Sequence, residues 1–212
     1  MKRPLPFLSR FARKTDGTVL VELAVVMPIF LLLYFGLIDF GRLAFHLVTT
    51  EKALYNATRV AIVRSPLCPN VPTVNTRGPS TNGSAPVPFG IDCNQGSNIC
   101  SNPGDIVCTG SLTNPTMAEI WPMIDGALPM GTTPANLQIT YSYDPNLGFL
   151  GGPYVPIVTI TLTDAWFTFV SPLGSILSLT GSTAETMPEQ SLPFPPLSVS
   201  MPAEDLSGGI SL

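Results

Sequence analysis

The feature that most constrains this chain is an uninterrupted apolar run near its N-terminus. The run from Thr18 to Ile38 is 21 residues long, and Glu22 is its only charged residue. About 20 apolar residues in a helix are enough to cross the hydrocarbon core of a bilayer. Because backbone polar groups must be paired inside lipid, a single span of this kind is a helix. The sequence therefore predicts a transmembrane helix over residues 18–38.

The charges are divided unevenly on the two sides of this run. Residues 1–64 contain nine Lys/Arg and four Asp/Glu, a net charge of +5, whereas residues 65–212 contain one Lys/Arg and ten Asp/Glu, a net charge of −9. Five of the basic residues precede the run, and the positive-inside rule keeps such a segment in the cytoplasm. We therefore expect a single-pass protein with its C-terminal region across the membrane. A region with one basic residue offers no phosphate-binding surface, so nucleic acid is not an expected partner.

A second pattern lies just before the apolar run. Basic Arg13 and Lys14 are followed by Gly17, and Glu22 is the fifth residue after that glycine. A secretory signal would need small residues at a cleavage site after its apolar core, and the residues that follow this run do not provide them. We therefore interpret residues 1–17 as a basic leader in front of a retained helix.

This arrangement resembles the cleavage site of type IV prepilins. The segment V-E-L-A-V-V-M-P-I-F-L-L-L-Y-F-G-L-I-D-F-G-R narrows the resemblance to the TadE-type pseudopilins of tight-adherence (Flp) pilus systems, over residues 13–64. The resemblance implies cleavage between Gly17 and Thr18, and a charge pair between Glu22 and a new amino terminus during assembly. The major Flp subunit has a tyrosine after the glutamate, and Leu23 at this position implies a minor component.

The resemblance also implies partners and a location. The partners are a prepilin peptidase, other pilin-like subunits, inner-membrane pilus assembly proteins and the lipid bilayer. The location is the bacterial inner membrane, with the N-terminus cytoplasmic and the C-terminal region periplasmic, and the extracellular pilus is a second location.

After the apolar run the pattern becomes amphipathic, which predicts that residues 39–64 continue the same helix. From Thr18 to Arg64 this helix is about 70 Å long, more than twice the thickness of a bilayer core, so its second half must pack on something else. Pro28 lies within the membrane run, where it is either simply tolerated or kinks the helix. Small or apolar residues recur at spacings of three and four on one face: Phe40, Leu43, Leu47, Thr50, Leu54, Ala57 and Ala61.

Residues 65–136 are rich in Pro, Gly, Ser, Thr and Asn, and we expect a loop insertion there. An even number of cysteines in a segment exported from the cytoplasm predicts disulfides. Three connectivities are open, and the spacing favours Cys93–Cys100 nested inside Cys68–Cys108. Close C-x-x-C pairs are absent, so no metal site is expected. One short helix is predicted over Met117–Leu128, with Trp121 packed inward.

Residues 137–189 carry the strand signal, and the fold class is therefore α+β, with a pilin-like long helix followed by a small antiparallel sheet of about three strands. Leu137–Tyr143 and Val158–Thr163 alternate apolar and polar residues, as half-buried strands do. Trp166–Val170 continues this pattern, and a further strand is predicted over Gly181–Met187. Residues 190–212 contain four prolines, which favours an irregular C-terminal tail.

The sequence offers no constellation of catalytic residues, so neither an enzyme nor a cofactor is expected. His46 is the only histidine, and Asp39-Phe40-Gly41 spells a kinase tripeptide without the glycine-rich loop that a kinase requires. Two functions remain. The first is a pseudopilin subunit that primes, caps or joins a filament. The alternative is a membrane-anchored adhesin or binding protein whose signal anchor is not cleaved.

Overall fold

The computed structural model describes residues 17–79, 86–171, 191–204 and 206 of the 212-residue chain. The predicted leader up to residue 16 and the predicted strand Gly181–Met187 lie outside the described residues. The chain divides into two compact units. Residues 17–42 and 169–171 belong to the first, here called the N-terminal unit. Residues 43–168 and the described residues from 191 onward belong to the second, the sheet unit.

One long helix, α1, spans Thr18–Ala61 and continues without interruption through Pro28. Its 44 residues correspond to about 66 Å at the rise of an α-helix. The prediction of one continuous helix is therefore confirmed. The helix ends at Ala61, three residues before Arg64. The Val63 N–H already bonds to the Val60 carbonyl in a tighter turn, and Pro66 disfavours helical backbone at the residue before it.

Among its described residues, the sheet unit contains six strands and a short second helix. In chain order these are β1 (Ile106–Thr109), α2 (Pro115–Ile124), β2 (Leu137–Ser142), β3 (Ile157–Leu162), β4 (Trp166–Thr168), β5 (Ser191–Pro193) and β6 (Leu197–Pro202). Four of them form an antiparallel sheet in the order β1-β2-β3-β6, and β4 pairs with β5 in a separate two-stranded sheet. The α+β class with an antiparallel sheet is confirmed, with one more strand in the main sheet than predicted.

The core of the sheet unit combines the second half of α1, one side of α2 and one face of the sheet. The alanines on α1 let the helix approach closely, and its two buried threonines donate hydrogen bonds to backbone carbonyls. The Thr58 hydroxyl donates to the Leu54 carbonyl at 2.8 Å, and the Thr50 hydroxyl donates to the Ala127 carbonyl at 3.2 Å. The side chains of this core are at most 1% exposed: Thr50, Leu54, Ala57, Thr58, Ala61, Met117, Ile120, Ile124, Leu137, Ile139, Tyr141, Val158, Ile160 and Leu162.

The face that the spacing of apolar residues defines on α1 is buried from Thr50 onward and exposed at Phe40. Phe40 shares that helical face but is 59% exposed. Helical periodicity indicates which residues share a face, and it carries no information on how far along the helix a partner surface extends.

The prediction of an irregular tail from residue 190 is wrong, because β5 and β6 lie within it. Leu197, Val199 and Met201 alternate with exposed serines, which is a strand pattern. The irregular tail was predicted from the four prolines in this segment. β6 is at the edge of its sheet, and Pro202 is its last residue, a place where proline is tolerated.

The 65–136 region is likewise more regular than a loop insertion, since it contains β1 and α2. Asn114 caps α2 by accepting hydrogen bonds from the amides of Thr116 and Met117, and Pro115 occupies the first turn. The predicted short helix is therefore present, although it begins and ends earlier than Met117–Leu128. The expected inward packing of Trp121 is found only in part. Trp121 is only half-buried, and its neighbour Ile120 is in the core.

Candidate assembly surface

The predicted cleavage site lies where α1 begins. The α-helix starts at Thr18, directly after Gly17. A Cβ atom added to Gly17 would meet nothing within 4 Å, so packing in this structure does not demand a glycine there. If a glycine is required at position 17, the requirement comes from another molecule that binds this segment.

The first half of α1 presents apolar side chains all around its surface. Leu37 is 74% exposed and Val19 is 72% exposed, and most of the large apolar residues between them are also exposed. Within the described part of the chain, α1 is the one helix that is long and apolar enough to cross a membrane, judged by length and composition. Continuous exposed apolar surface of this extent indicates a membrane or protein contact.

Glu22 is the single carboxylate on this apolar surface. Its side chain is exposed, and among the described residues it has no ion-pair partner. It follows Thr18 by four residues, so the two positions lie on the same side of the helix, one turn apart. A carboxylate in lipid is costly unless it meets a positive charge, and Glu22 is therefore the residue on this surface that most needs a partner.

Asp39 is a site that sequence reasoning missed. Its carboxylate is only 1% exposed. One oxygen accepts hydrogen bonds from the Val170 amide and the Arg42 guanidinium, both at 3.2 Å, and the other accepts from the Ser171 amide at 2.9 Å. Asp39 thus attaches the end of the apolar helix segment to residues more than 130 positions away, all within the N-terminal unit.

The electrostatics of this contact favour an ionised Asp39. Burial alone raises the pKa of Asp39, but the hydrogen bonds from the Ser171 side chain and amide, from the Val170 amide and from Arg42 together outweigh burial and lower it. Arg42, three residues later on the same helix, was the local signal in the sequence. The amides of Val170 and Ser171 could not be predicted as partners, because every residue except proline has the same backbone N–H group.

The part of the chain that matches a known protein family is this same helix. Residues 17–59 match the family model described as TadE-like protein. The N-terminal helix is TadE-like. The match begins at the predicted cleavage glycine and ends two residues before the end of α1. No curated protein and no solved structure matches the chain.

The TadE-like match agrees with the resemblance noted from the sequence. The match covers residues 17–59 of the 212-residue chain, so it concerns α1. The apolar first half of the TadE-like helix is compatible with a single-pass membrane anchor.

After the TadE-like helix, two disulfides stabilise the connection between α1 and the main sheet, and the longer one ends in β1. Cys68 pairs with Cys108 and Cys93 with Cys100, with Cα–Cα distances of 5.6 and 5.2 Å. This is the nested arrangement that the spacing favoured. The Cys93–Cys100 disulfide is buried together with Ile99 and Leu150 in a small core of its own. Among the described residues there is no cluster of His, Cys, Asp or Glu that could hold a metal ion.

Proposed function

We propose that this chain is a non-enzymatic, pilin-like subunit of a tight-adherence pilus machine. A prepilin peptidase would cleave it after Gly17, and the mature subunit would then prime, cap or join the filament. One observation carries the proposal. A helix with exposed apolar side chains starts directly after Gly17 and bears a single carboxylate at the fifth mature position, in a segment that matches the TadE-like family.

In this proposal the first half of α1 has two successive environments. Before assembly it spans the inner membrane, with residues 1–17 in the cytoplasm and the sheet unit in the periplasm. After cleavage it exchanges lipid for the apolar helices of other subunits. Pro28 would let the helix bend during this exchange, because proline removes one internal hydrogen bond and kinks helices.

Cleavage also supplies the partner that Glu22 needs. Removal of residues 1–17 creates a positively charged amine on Thr18. The Glu22 carboxylate costs up to about 3 kcal/mol inside a bilayer, less near the edge, and an ammonium group offsets this cost. We expect the amine of a neighbouring subunit to be the partner, because an intermolecular pair also fixes the axial position of one helix against the next.

The processing step is tested by a matched pair of glycine variants. In both Gly17→Leu and Gly41→Leu the new Cβ atom meets nothing within 4 Å, so neither change disturbs packing at that atom. We expect Gly17→Leu to remain at precursor size and Gly41→Leu to be processed like the wild type, as seen by electrophoresis of membrane fractions. Normal processing of Gly17→Leu would contradict cleavage at this bond.

The charge pair is tested separately with Glu22→Gln, which keeps the size of the side chain and removes its charge. We expect cleavage to continue while co-purification with the other pilus subunits and pilus formation are lost. A Glu22→Gln variant that assembles normally would leave cleavage intact as a conclusion but would refute the charge pair.

A further inference from the structure

Exposed apolar side chains lie at one level of the N-terminal unit, where the apolar run of α1 ends. Leu37 and Phe40 of α1 are 74% and 59% exposed. Val170 is 77% exposed, and its amide donates to the Asp39 carboxylate, so a distant part of the chain adds a third apolar side chain at this level. Single exposed apolar residues are ordinary, whereas several together at the end of an apolar helix surface indicate that the contact surface extends beyond the helix.

Two consecutive amides of the 169–171 segment are satisfied within the protein. The segment is not helical, and the amides of Val170 and Ser171 donate to the two oxygens of Asp39 at 3.2 and 2.9 Å. The side chains on either side of Val170 are buried, Phe169 at 7% and Ser171 at 5% exposure. Non-helical backbone is tolerated beside hydrocarbon only where protein satisfies its polar groups. The Asp39 carboxylate meets that condition for these two N–H groups.

The charges at this level are neutralised within the same unit. Between Glu22 and Glu51, Asp39 and Arg42 are the only residues of the Asp, Glu, Lys and Arg types. The Asp39 carboxylate is 1% exposed and accepts a hydrogen bond from the Arg42 guanidinium at 3.2 Å. Charges that pair with each other cost much less beside lipid than separate charges do. The pair therefore does not prevent this part of the unit from lying against a bilayer.

The position of this level along α1 favours the lipid bilayer as the contact. From Thr18 to Asp39 the helix rises about 32 Å at 1.5 Å per residue. The hydrocarbon core of a bilayer is about 30 Å thick. In the proposed orientation Thr18 lies at the cytoplasmic boundary of the core, so Asp39 lies at the periplasmic boundary. The exposed side chains around Asp39 are then at the depth where acyl chains meet the headgroups of the periplasmic leaflet.

We propose that the 169–171 segment is a second membrane contact of this protein, in which Val170 inserts into the periplasmic leaflet at the level of Phe40. Asp39 positions the segment, because its carboxylate holds both amides at the end of the apolar run. A helix that is apolar on all sides has no preferred rotation in lipid, and a contact on one side of it sets one. This inference rests on the membrane placement in the proposed function and deepens it by naming a second lipid-binding part of the chain.

Single cysteines labelled with the fluorophore bimane test this contact in the full-length protein, reconstituted alone in phosphatidylcholine vesicles. The native cysteines among the described residues are all paired, so each introduced cysteine is the thiol that reacts. Lipids brominated in their acyl chains quench a fluorophore that touches them, and iodide quenches one that is in water. We expect brominated lipid to quench the label in Val170→Cys and iodide to have little effect on it.

Two further positions make the result specific. Val107→Cys is the matched control, because Val107 is an exposed valine of the sheet unit, at 51%. Solvent exposure alone makes position 170 the more accessible to iodide, whereas lipid contact predicts the reverse order. Leu33→Cys reports α1 itself, since Leu33 is 67% exposed in the middle of the apolar run. We expect brominated lipid to quench the label at position 33 and not at position 107.

The role of Asp39 is tested in the Val170→Cys protein. Adding Asp39→Ala removes the acceptor of both amides, and we expect quenching by lipid at position 170 to fall and quenching by iodide to rise. Glu51→Ala is the control, because it removes an exposed carboxylate of the same helix. Lipid quenching that persists in Asp39→Ala would overturn the positioning role given to Asp39.

The other outcomes separate the lipid contact from the proposed function. Lipid quenching at position 33 with iodide quenching at position 170 would overturn the lipid contact and leave the membrane placement of α1 intact. Loss of lipid quenching at both positions would contradict the membrane placement as well. A label at position 170 that neither agent quenches would mean that a second copy covers it, which also overturns the lipid contact. Cleavage after Gly17 is scored separately in cells, so a failure of processing is distinguishable from each of these results.

Discussion

The two halves of α1 share one continuous backbone and have opposite surfaces. From Thr18 to Ile38 the helix is apolar on nearly every side and mostly exposed, whereas from Thr50 to Ala61 one face is fully buried and the other carries charged residues. A helix satisfies its own backbone hydrogen bonds in either setting, so only the side chains decide its surroundings. An all-round apolar surface needs lipid or other helices, and an amphipathic surface needs a folded partner in water.

This difference predicts that substitutions in the two halves have different consequences. Changes in the second half act on the folding of the sheet unit, and changes in the first half act on membrane residence and assembly. Both tryptophans, Trp121 and Trp166, belong to the sheet unit. Their fluorescence during urea unfolding of the detergent-solubilised protein therefore reports that unit alone.

The largest effect is expected from the long disulfide. Replacing Cys68 and Cys108 together by serine frees a loop of 40 residues and should lower the free energy of unfolding by about 4 kcal/mol. Replacing Cys93 and Cys100 should cost less, about 2.5 kcal/mol, because the loop is shorter. Equal losses in the two double variants would show that loop length is not what sets their contributions.

Two leucines, one in each half of α1, test the difference between the halves most directly. Leu54 is fully buried and Leu37 is 74% exposed. Leu54→Ala should lower the free energy of unfolding of the sheet unit by about 3 kcal/mol, from lost burial and the cavity left behind. Leu37→Ala should leave it unchanged by the same fluorescence measurement. A similar loss in both variants would mean that the first half of α1 is part of the same cooperative unit.

A smaller loss of stability is expected when one of two buried tyrosines in the sheet unit loses its hydroxyl. The Tyr141 hydroxyl accepts a hydrogen bond from the Leu67 amide at 2.9 Å, just after the end of α1. Tyr141→Phe leaves that amide unpaired and should cost about 1–2 kcal/mol in urea unfolding. The Tyr154 hydroxyl is buried without a partner among the described residues. Tyr154→Phe is therefore the control, and we expect it to be neutral or slightly stabilising.

The smallest effect concerns pH. Burial, with smaller contributions from Tyr143 and Asp105, raises the pKa of Tyr154 to about 12. Because the pKa in the folded state lies above the unfolded value of about 10, ionisation of this tyrosine leaves the stability unchanged below pH 10 and lowers it as the pH rises towards 12. The urea midpoint of the wild type should fall over this range, and Tyr154→Phe should reduce the fall. A midpoint that falls equally in both proteins would assign the alkaline loss to other groups.

The sequence predicted the elements whose residues repeat over many positions. α1, β2 and β3 have clear periods of 3.6 or 2, and all three are present. β1 has only four residues in a region dominated by turn formers, too few for a period to stand out. Apolar and polar residues do alternate in β6, but the prolines around it argued against a strand. Proline is tolerated in an edge strand, and the sequence does not show that β6 is one.

The candidate site shows the same limit. Gly17, Thr18 and Glu22 are recognisable because they are close together in the chain and have a characteristic spacing. Asp39 depends on two amides that are distant in sequence, and only the fold brings them together. Spacing along the sequence predicts sites whose residues are neighbours in the chain. A site whose partners are distant in sequence can be found only from the tertiary structure.

Cleavage after Gly17 is tested most directly by the intact mass of the protein purified from membranes of cells with an active prepilin peptidase. We expect one species that begins at Thr18, lacks residues 1–17 and has all four cysteines oxidised. A protein that begins at Met1 under these conditions would contradict the proposed processing and favour a membrane-anchored adhesin with an uncleaved signal anchor.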